Sequence, residues 1–156
     1  MNETLQEWLS SQSLNGIIVE LVDVSKEEQL SLLSKGLIPK AHTLYIFSDE
    51  WETRTDQCKS FILSKAGSFH RRIGARYCEV REVSKVVARE FLANYHIQGA
   101  NKLGIVYLGL FSGEDLVGLM SMGRHSRQIA QNRVVMDRLC FKPGVQVVGG
   151  TSKLLS

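Results

Sequence analysis

The stretch Gln146-Val147-Val148-Gly149-Gly150-Thr151-Ser152-Lys153 decides the fold assigned to the second half of the chain. A β-branched strand end followed by glycines and small polar residues is typical of a strand that passes directly into a helix. Backbone N–H groups at such a helix start bind phosphate or pyrophosphate, and paired glycines let a ligand approach the backbone closely. The run predicts either a phosphate site or a plain tight strand-to-helix connection.

The elements upstream of this run predict a mixed or antiparallel sheet with helices. Alternating residues predict a strand at 76–81, and Ser84 is suited to cap a helix that extends to about Tyr95. Two strands at 103–111 and 116–122, joined by a tight turn, form a predicted hairpin. A further strand at 134–141 ends at Pro143-Gly144. Four aromatic side chains are expected in the core: Tyr77, Phe91, Tyr107 and Phe111.

The first part of the chain predicts a small βαβ-type unit. A short amphipathic helix at 3–11 precedes a β-branched strand at 17–22, a helix that starts after Ser25, a strand at 43–47 and a helix at 55–65. This order favours parallel strands. We therefore predict an α/β (α+β) protein with a βαβα unit at 1–66, a linker at 67–75 and a second domain at 76–156.

Charge is divided unevenly between the two halves. Residues 1–60 hold ten Asp/Glu against five Lys/Arg, a net charge of −5, whereas residues 61–156 hold fourteen Lys/Arg against six Asp/Glu, a net charge of +8. Such asymmetry suggests an anionic partner for the second half, and a solvated basic face is the alternative. The three cysteines are far apart, without C-x-x-C pairs, which predicts a reducing, cytoplasmic setting and no metal site. We find no membrane span or signal peptide in the sequence.

Basic residues of the second half are candidate DNA contacts. Several of them fall in one polar loop that leaves the predicted hairpin, and such a loop suits contacts to phosphates, although it is also compatible with a merely solvated loop. The predicted nucleic-acid-binding residues are Arg71, Arg72, Arg124, His125, Arg127, Arg133, Lys142 and Lys153.

The order of elements around the glycine pair resembles the GNAT acyltransferase superfamily. Its signature at this point is Q/R-x-x-G-x-G/A, which Gln146 and Gly149 match in spacing, while Thr151 stands at the final Gly/Ala position. The resemblance implies that backbone amides here hold the pyrophosphate of an acyl-coenzyme A. The cofactor-binding residues it implies are Gln146, Val148, Gly149, Gly150, Thr151 and Ser152. GNAT domains continue beyond this helix with further strands, so we expect a second polypeptide or a second copy to complete the sheet.

A closer resemblance is to phage proteins that join a homing-endonuclease domain to a GNAT-like domain of the Mom type, which modifies DNA bases. It rests on residues 91–99 (FLANYHIQG), 115–123 (DLVGLMSMG), 137–140 (DRLC) and 148–155 (VGGTSKLL), which are similar to "NHIQG", "LVSLMTFG", "ELLRFC" and "GGASKLL" of that family. The resemblance implies functional roles for His96, Asp137 and Arg138. The alternatives are a helix-end histidine that satisfies carbonyl groups and a structural ion pair of Asp137 with Arg138.

Residues 43–51 (TLYIFSDEW) and 56–60 (DQCKS) are similar to the "IFEDEW…DIVKS" stretch that closes the nuclease unit of Vsr-like homing endonucleases. Three functions follow as hypotheses. The chain is a DNA-binding protein related to homing endonucleases, or an acyl-CoA-dependent transferase that modifies DNA bases, or a phage accessory protein that binds a protein partner.

Overall fold

A computed structural model of the chain describes residues 3–23, 31, 40–101, 104–124 and 134–156. The described helices and strands fall into two compact units, Met1–Ser68 and Phe69–Ser156. Helices occur together with both parallel and antiparallel strand pairs, which confirms the predicted α+β class. Each unit is described by itself below.

The N-terminal unit begins with helix α1 (Leu5–Ser10), as the amphipathic pattern at 3–11 predicts. Thr4 caps the helix in a reciprocal arrangement, because its side chain accepts from the amide of Glu7 while the Glu7 carboxylate accepts from the amide of Thr4. These hydrogen bonds satisfy amides that a helix start leaves without partners. They also hold the Glu7 carboxylate in its charged form and lower its pKa.

Two parallel strands, β1 (Ile18–Val22) and β2 (Thr43–Phe47), confirm the predicted strands at 17–22 and 43–47 and their parallel direction. The helix predicted after Ser25 lies outside the described residues. Two helices follow β2: α2 (Ser48–Thr53), which was not predicted, and α3 (Thr55–Lys65), which was. The core of this unit contains Cys58 and Ile62 on α3, whose side chains are fully buried.

Two tryptophans, Trp8 and Trp51, form contacts between α1 and the later helices of the same unit. The rings of Trp8 and Trp51 lie 6.0 Å apart, and the indole of Trp51 donates to the carbonyl of Glu3 at 3.3 Å. Lys59 Nζ lies 5.7 and 5.9 Å from the two ring centroids and 2.7 Å from Glu3 Oε2. One ammonium group therefore contributes both cation–π contacts and an ion pair to this junction.

The boundary between the units falls after Ser68, and the predicted linker at 67–75 is wrong for residues 71–74. These residues form strand β3 (Arg71–Gly74), which pairs in parallel with strand β8 (Val145–Val148). The sequence of 71–74 is typical of a loop, because the segment is short and basic and the strand that pairs with it lies far away along the chain. The strand predicted at 76–81 is also corrected, since Ala75–Tyr77 forms one turn of 3₁₀-helix, η1, and strand β4 covers Glu79–Glu82.

The main sheet of the C-terminal unit is antiparallel, with strand order β4-β5-β6-β7. Helix α4 (Lys85–Tyr95), capped by Ser84 as predicted, connects β4 to β5 (Gly104–Ser112). The predicted hairpin joins β5 to β6 (Asp115–Gly123) through a turn in which Gly113 has φ +63°. Strand β7 (Val135–Phe141) pairs with β6, and helix α5 (Gly150–Leu155) follows β8.

The two faces of this sheet carry separate cores. Leu119 packs with Ala88, Phe91 and Leu92 of α4, whereas its neighbour Met120 points to the opposite face, as adjacent strand residues do. Met120 packs there with β8 and with Leu154 of α5. Burial of Phe91 and Tyr107 confirms their predicted core positions, and Phe111 is half-buried. The prediction for Tyr77 is wrong, because its side chain is 69% exposed.

Candidate anion-binding site

The parallel strands β3 and β8 end side by side. Gly74 is opposite Val148 in register, so η1 leaves β3 at the edge where α5 leaves β8. A Cβ atom placed on Gly149 would lie 3.6 Å from Ala75 Cβ, so the glycine pair lies against η1. Ligands of open sheets bind at the carboxyl ends of parallel strands, and this edge is the candidate anion-binding site.

The glycine pair shapes the start of α5. Gly149 is the N-cap and has φ +80°, a left-handed conformation that glycine adopts without steric cost. The first helical hydrogen bond runs from Lys153 N–H to the Gly149 carbonyl, so the amides of Gly150, Thr151 and Ser152 precede the helical ladder. Amides in these positions are available to an anion at any helix start, and the six residues of α5 give them only a short dipole.

The six predicted cofactor-binding residues lie around the start of α5, but they differ in how far they are exposed to solvent. Val148, Gly149, Thr151 and Ser152 are exposed, whereas Gly150 is buried against the ring of Phe141. Gln146 is half-buried, and its Oε1 accepts a hydrogen bond of 2.6 Å from Arg72 Nε. Gln146 therefore holds Arg72, and the fold joins one predicted cofactor ligand to one predicted DNA contact.

The elements that meet at this edge carry three basic side chains. Arg72 lies on β3, Lys153 on α5, and Arg76 on η1, where its guanidinium stacks over the ring of Tyr77 at 4.7 Å from the centroid. Among the described residues, no carboxylate lies within ion-pair distance of Arg72, Arg76 or Lys153. The candidate site thus carries positive charge that described acidic side chains do not neutralise.

Two other predicted DNA contacts share one carboxylate within the fold. Asp115 accepts from Lys142 Nζ at 2.8 Å and from Arg71 Nη1 at 3.0 Å, and Arg71 also donates to Ser112 Oγ at 3.3 Å. The hydrogen bond from Lys142, followed by the charge of Lys142 and the contact with Arg71, lowers the pKa of Asp115 despite partial burial. Asp115 starts β6, so this cluster joins the hairpin to β3 and to the end of β7.

The remaining predicted DNA contacts belong to the β6–β7 connection. Arg124 is exposed directly after β6, while His125, Arg127 and Arg133 lie outside the described residues.

His96 ends α4 as its C-cap, where its amide donates to the carbonyl of Leu92 and its Nδ1 accepts from the amide of Gln98 at 3.1 Å. This imidazole contact is with an amide beyond the helix, so both the functional role of His96 and its role in satisfying carbonyl groups stay predictions.

The structure brings Asp137 and Arg138 together on β7. Their side chains form an ion pair of 3.2 Å, and Arg138 Nη1 also donates to the backbone carbonyl of Asp137. Asp137 further accepts from the side-chain amide of Asn101, which is 6% exposed. Sequence reasoning missed Asn101, as well as Ser121, which lies opposite Arg138 on β6 and is fully buried. Buried polar side chains of this kind have no local sequence signal.

Comparison with known proteins gives no match to any protein-family model, curated protein or solved structure. No described helix is long and apolar enough to cross a membrane. In the described ranges, His, Cys, Asp and Glu side chains nowhere gather in a group of three that could hold a metal ion. The site is therefore interpreted from its own geometry and charge.

Proposed function

We propose that this protein binds double-stranded DNA through its C-terminal unit, as a phage-type protein related to homing endonucleases that acts in the cytoplasm of the host. The observation that carries the proposal is the unneutralised positive charge of Arg72, Arg76 and Lys153 around the carboxyl ends of β3 and β8. Phosphate contacts of basic side chains supply most of the affinity of non-specific DNA binding.

The charge balance of the unit supports this proposal. Residues 69–156 hold thirteen Lys/Arg against six Asp/Glu, a net charge of +7. Four of the six acidic side chains, those of Glu79, Glu114, Asp115 and Asp137, already bind Arg or Lys side chains of the unit. The acidic residues are thus mostly occupied by internal pairs, and the excess cations remain for an external polyanion.

The experiment is a DNA titration by fluorescence anisotropy at several salt concentrations. The test variant is Arg76→Gln/Lys153→Gln. Its matched control, Lys85→Gln/Arg89→Gln, removes the same charge from exposed positions on α4, which packs on the other face of the sheet. Each phosphate contact contributes a slope of about 0.9 to the plot of log affinity against log salt. We expect the test variant to reduce the slope by about 2 and the control to leave it nearly unchanged.

Two outcomes contradict the proposal. A flat salt dependence of the wild-type protein excludes a phosphate-binding face altogether. Equal losses in the test and control variants mean that net charge, and not the edge formed by β3 and β8, attracts the DNA.

A second function, acyl-coenzyme A binding by a GNAT-like or Mom-type transferase, is favoured by the left-handed Gly149, which lies against Ala75 of η1, the turn that also contains Arg76. Free amides at a helix start together with a guanidinium suit a pyrophosphate. Calorimetry with coenzyme A tests this function, and Gly149→Asp places a carboxylate where the pyrophosphate would bind. A micromolar or tighter signal that this variant abolishes supports the enzyme, and no heat with the wild-type protein excludes it.

A completing second polypeptide, a homodimer and a role as an accessory protein remain predictions from the resemblance. Sedimentation of the purified chain measures its oligomeric state.

A further inference from the structure

A cluster of polar side chains lies on the α4 side of the sheet, apart from the anion-binding edge. It consists of Asn101, Ser121, Asp137 and Arg138. Three of its atoms are buried and, in the part of the chain that the structure describes, accept or donate no hydrogen bond: Asn101 Oδ1, Ser121 Oγ and Arg138 Nε. Asn101 is 6% exposed and Ser121 is 0% exposed. Buried polar atoms without partners are rare, and each one requires a physical explanation.

A shift in strand pairing brings these side chains together. Ser121 is opposite Arg138, but the next residue of β6, Met122, is opposite Met136, so Asp137 is the extra residue of a bulge in β7. Asp137 accepts from Asn101 Nδ2 and from Arg138 Nη1. Asn101 and Arg138 thus meet at one carboxylate, and Ser121 adjoins Arg138 through the strand pair.

The chemistry of the three atoms limits what they bind. An ionised carboxylate only accepts hydrogen bonds, so Asp137 fixes the amide of Asn101 with Nδ2 toward itself and leaves Oδ1 as an acceptor. Arg138 Nε–H is a donor, and the hydroxyl of Ser121 is both donor and acceptor. An anion would be repelled by Asn101 Oδ1 and a cation by Arg138, so the occupant is a small neutral molecule that both donates and accepts.

We propose that Asn101, Ser121 and Arg138 hold one buried water molecule, which fixes the orientation of the Arg138 guanidinium. The three atoms are each almost inaccessible to solvent, so a molecule that binds all three is enclosed by the fold. Buried waters make about three hydrogen bonds to groups that lack other partners, and this cluster supplies three. The side chain of Arg138 remains 23% exposed, so a guanidinium held by Asp137 and the water keeps a fixed outer edge toward solvent.

A double-mutant cycle with Ser121→Ala and Asn101→Ala tests the shared water through the equilibrium constant of urea unfolding. The two side chains share no direct hydrogen bond, so coupling between them passes through a common water or through Asp137 and Arg138, and the crystal structure distinguishes these two routes. We expect Ser121→Ala alone to raise the unfolding constant and the cycle to show coupling of about fivefold or more. The control cycle combines Asn101→Ala with Ser84→Ala, which removes the α4 cap and should be additive.

A crystal structure at better than about 1.8 Å resolution provides the direct observation. Water density within hydrogen-bond distance of all three atoms, together with coupling, supports the proposal. It is overturned if Ser121→Ala stabilises the protein, since a hydroxyl without any partner is better replaced by a methyl group. Additivity of the Ser121 and Asn101 variants also overturns it, as does a direct contact of these side chains without density between them.

Discussion

Replacement of Gly150 by alanine should destabilise the C-terminal unit through steric contacts, chiefly with the ring of Phe141 and secondly with Val147 Cβ at 3.1 Å. A Cβ atom at this first residue of α5 would lie 2.7 Å from Phe141 Cε1 and 3.0 Å from Phe141 Cζ. Carbon atoms in favourable contact are about 3.5–4.0 Å apart, so the ring or the helix must shift by roughly 1 Å. The ring also lies against Gly118, where a Cβ would meet it at 2.8 Å, so Phe141 fits between two glycines.

The expected magnitude follows from two opposing effects. Overpacking of a core costs about 1–3 kcal/mol, and alanine gains up to about 1 kcal/mol over glycine in a helix. We expect the free energy of unfolding to fall by about 1–2 kcal/mol. The midpoint temperature of a unit of this size should fall by roughly 4–8 °C per kcal/mol.

Thermal unfolding followed by two signals measures this effect. Trp8 and Trp51 are the two tryptophans of the chain and both lie in the N-terminal unit, so tryptophan fluorescence follows that unit. Circular dichroism follows both units. We expect Gly150→Ala to shift the part of the dichroism transition that fluorescence does not report, while the fluorescence transition stays in place.

The Phe141→Leu variant identifies the contact. In the Gly150→Ala background it should cost less than in the wild-type protein, because the smaller side chain vacates the space that the new methyl group needs. Gly149→Ala is the matched control: its Cβ meets only Ala75 at 3.6 Å, so its cost of about 1 kcal/mol arises from φ +80° and is not relieved by Phe141→Leu. A Gly150→Ala protein as stable as wild type, or additivity with Phe141→Leu, refutes the reasoning.

Two further predictions concern titratable groups. The pKa of Asp115 is lowered, chiefly by Lys142, so the ionised carboxylate stabilises the fold above the ordinary carboxyl pKa, and this stabilisation is lost as pH falls through the lowered value. The Asp115→Asn variant should therefore show a flatter dependence of stability on pH below about pH 4. At pH 7 it should lose no more than about 1 kcal/mol of the free energy of unfolding, as measured by urea unfolding. An unchanged acid limb would contradict this. Burial raises the pKa of the Cys140 thiol to about 12. Burial, with a smaller contribution from Glu50, raises the pKa of the Cys58 thiol to about 11. At pH 8 a disulfide reagent should therefore modify both thiols only after denaturant is added. Rapid reaction of either thiol in the native protein would show that its burial is not maintained.

Much of the fold is predictable because its causes are local. Thr4 and Ser84 cap helices with their own side chains, and the turn at Gly113 needs a conformation that glycine supplies. Strand β6 was predicted to within one residue at each end, because its apolar residues and the flanking turn define a hairpin. The exposure of Tyr77 was not predictable in the same way. An aromatic residue between two strands is buried only if another element packs over it, and the local sequence does not show whether one does.

The candidate sites depended more strongly on contacts between distant parts of the chain. Arg71 and Lys142 appear as equivalent DNA contacts in the sequence, yet both bind Asp115, whereas Arg76 on η1 has no described carboxylate within ion-pair distance. Their roles differ because a positive side chain is free for a ligand only if no acidic side chain of the fold reaches it. That distance is set by which strands become neighbours.

The amino-acid sequence by itself determined the α+β class, the local helices and strands, the basic character of the second half and the glycine pair at the start of α5. The tertiary structure alone decided that residues 71–74 are a strand, because only pairing with β8 satisfies its backbone groups, and that Asp137 is a bulged residue, because only the register against β6 defines it. Helix caps and turns act within a few residues, and the sequence contains their whole cause. Strand register and burial join residues far apart in the chain, so the charges and polar atoms left for a ligand are set only when the sheet has formed.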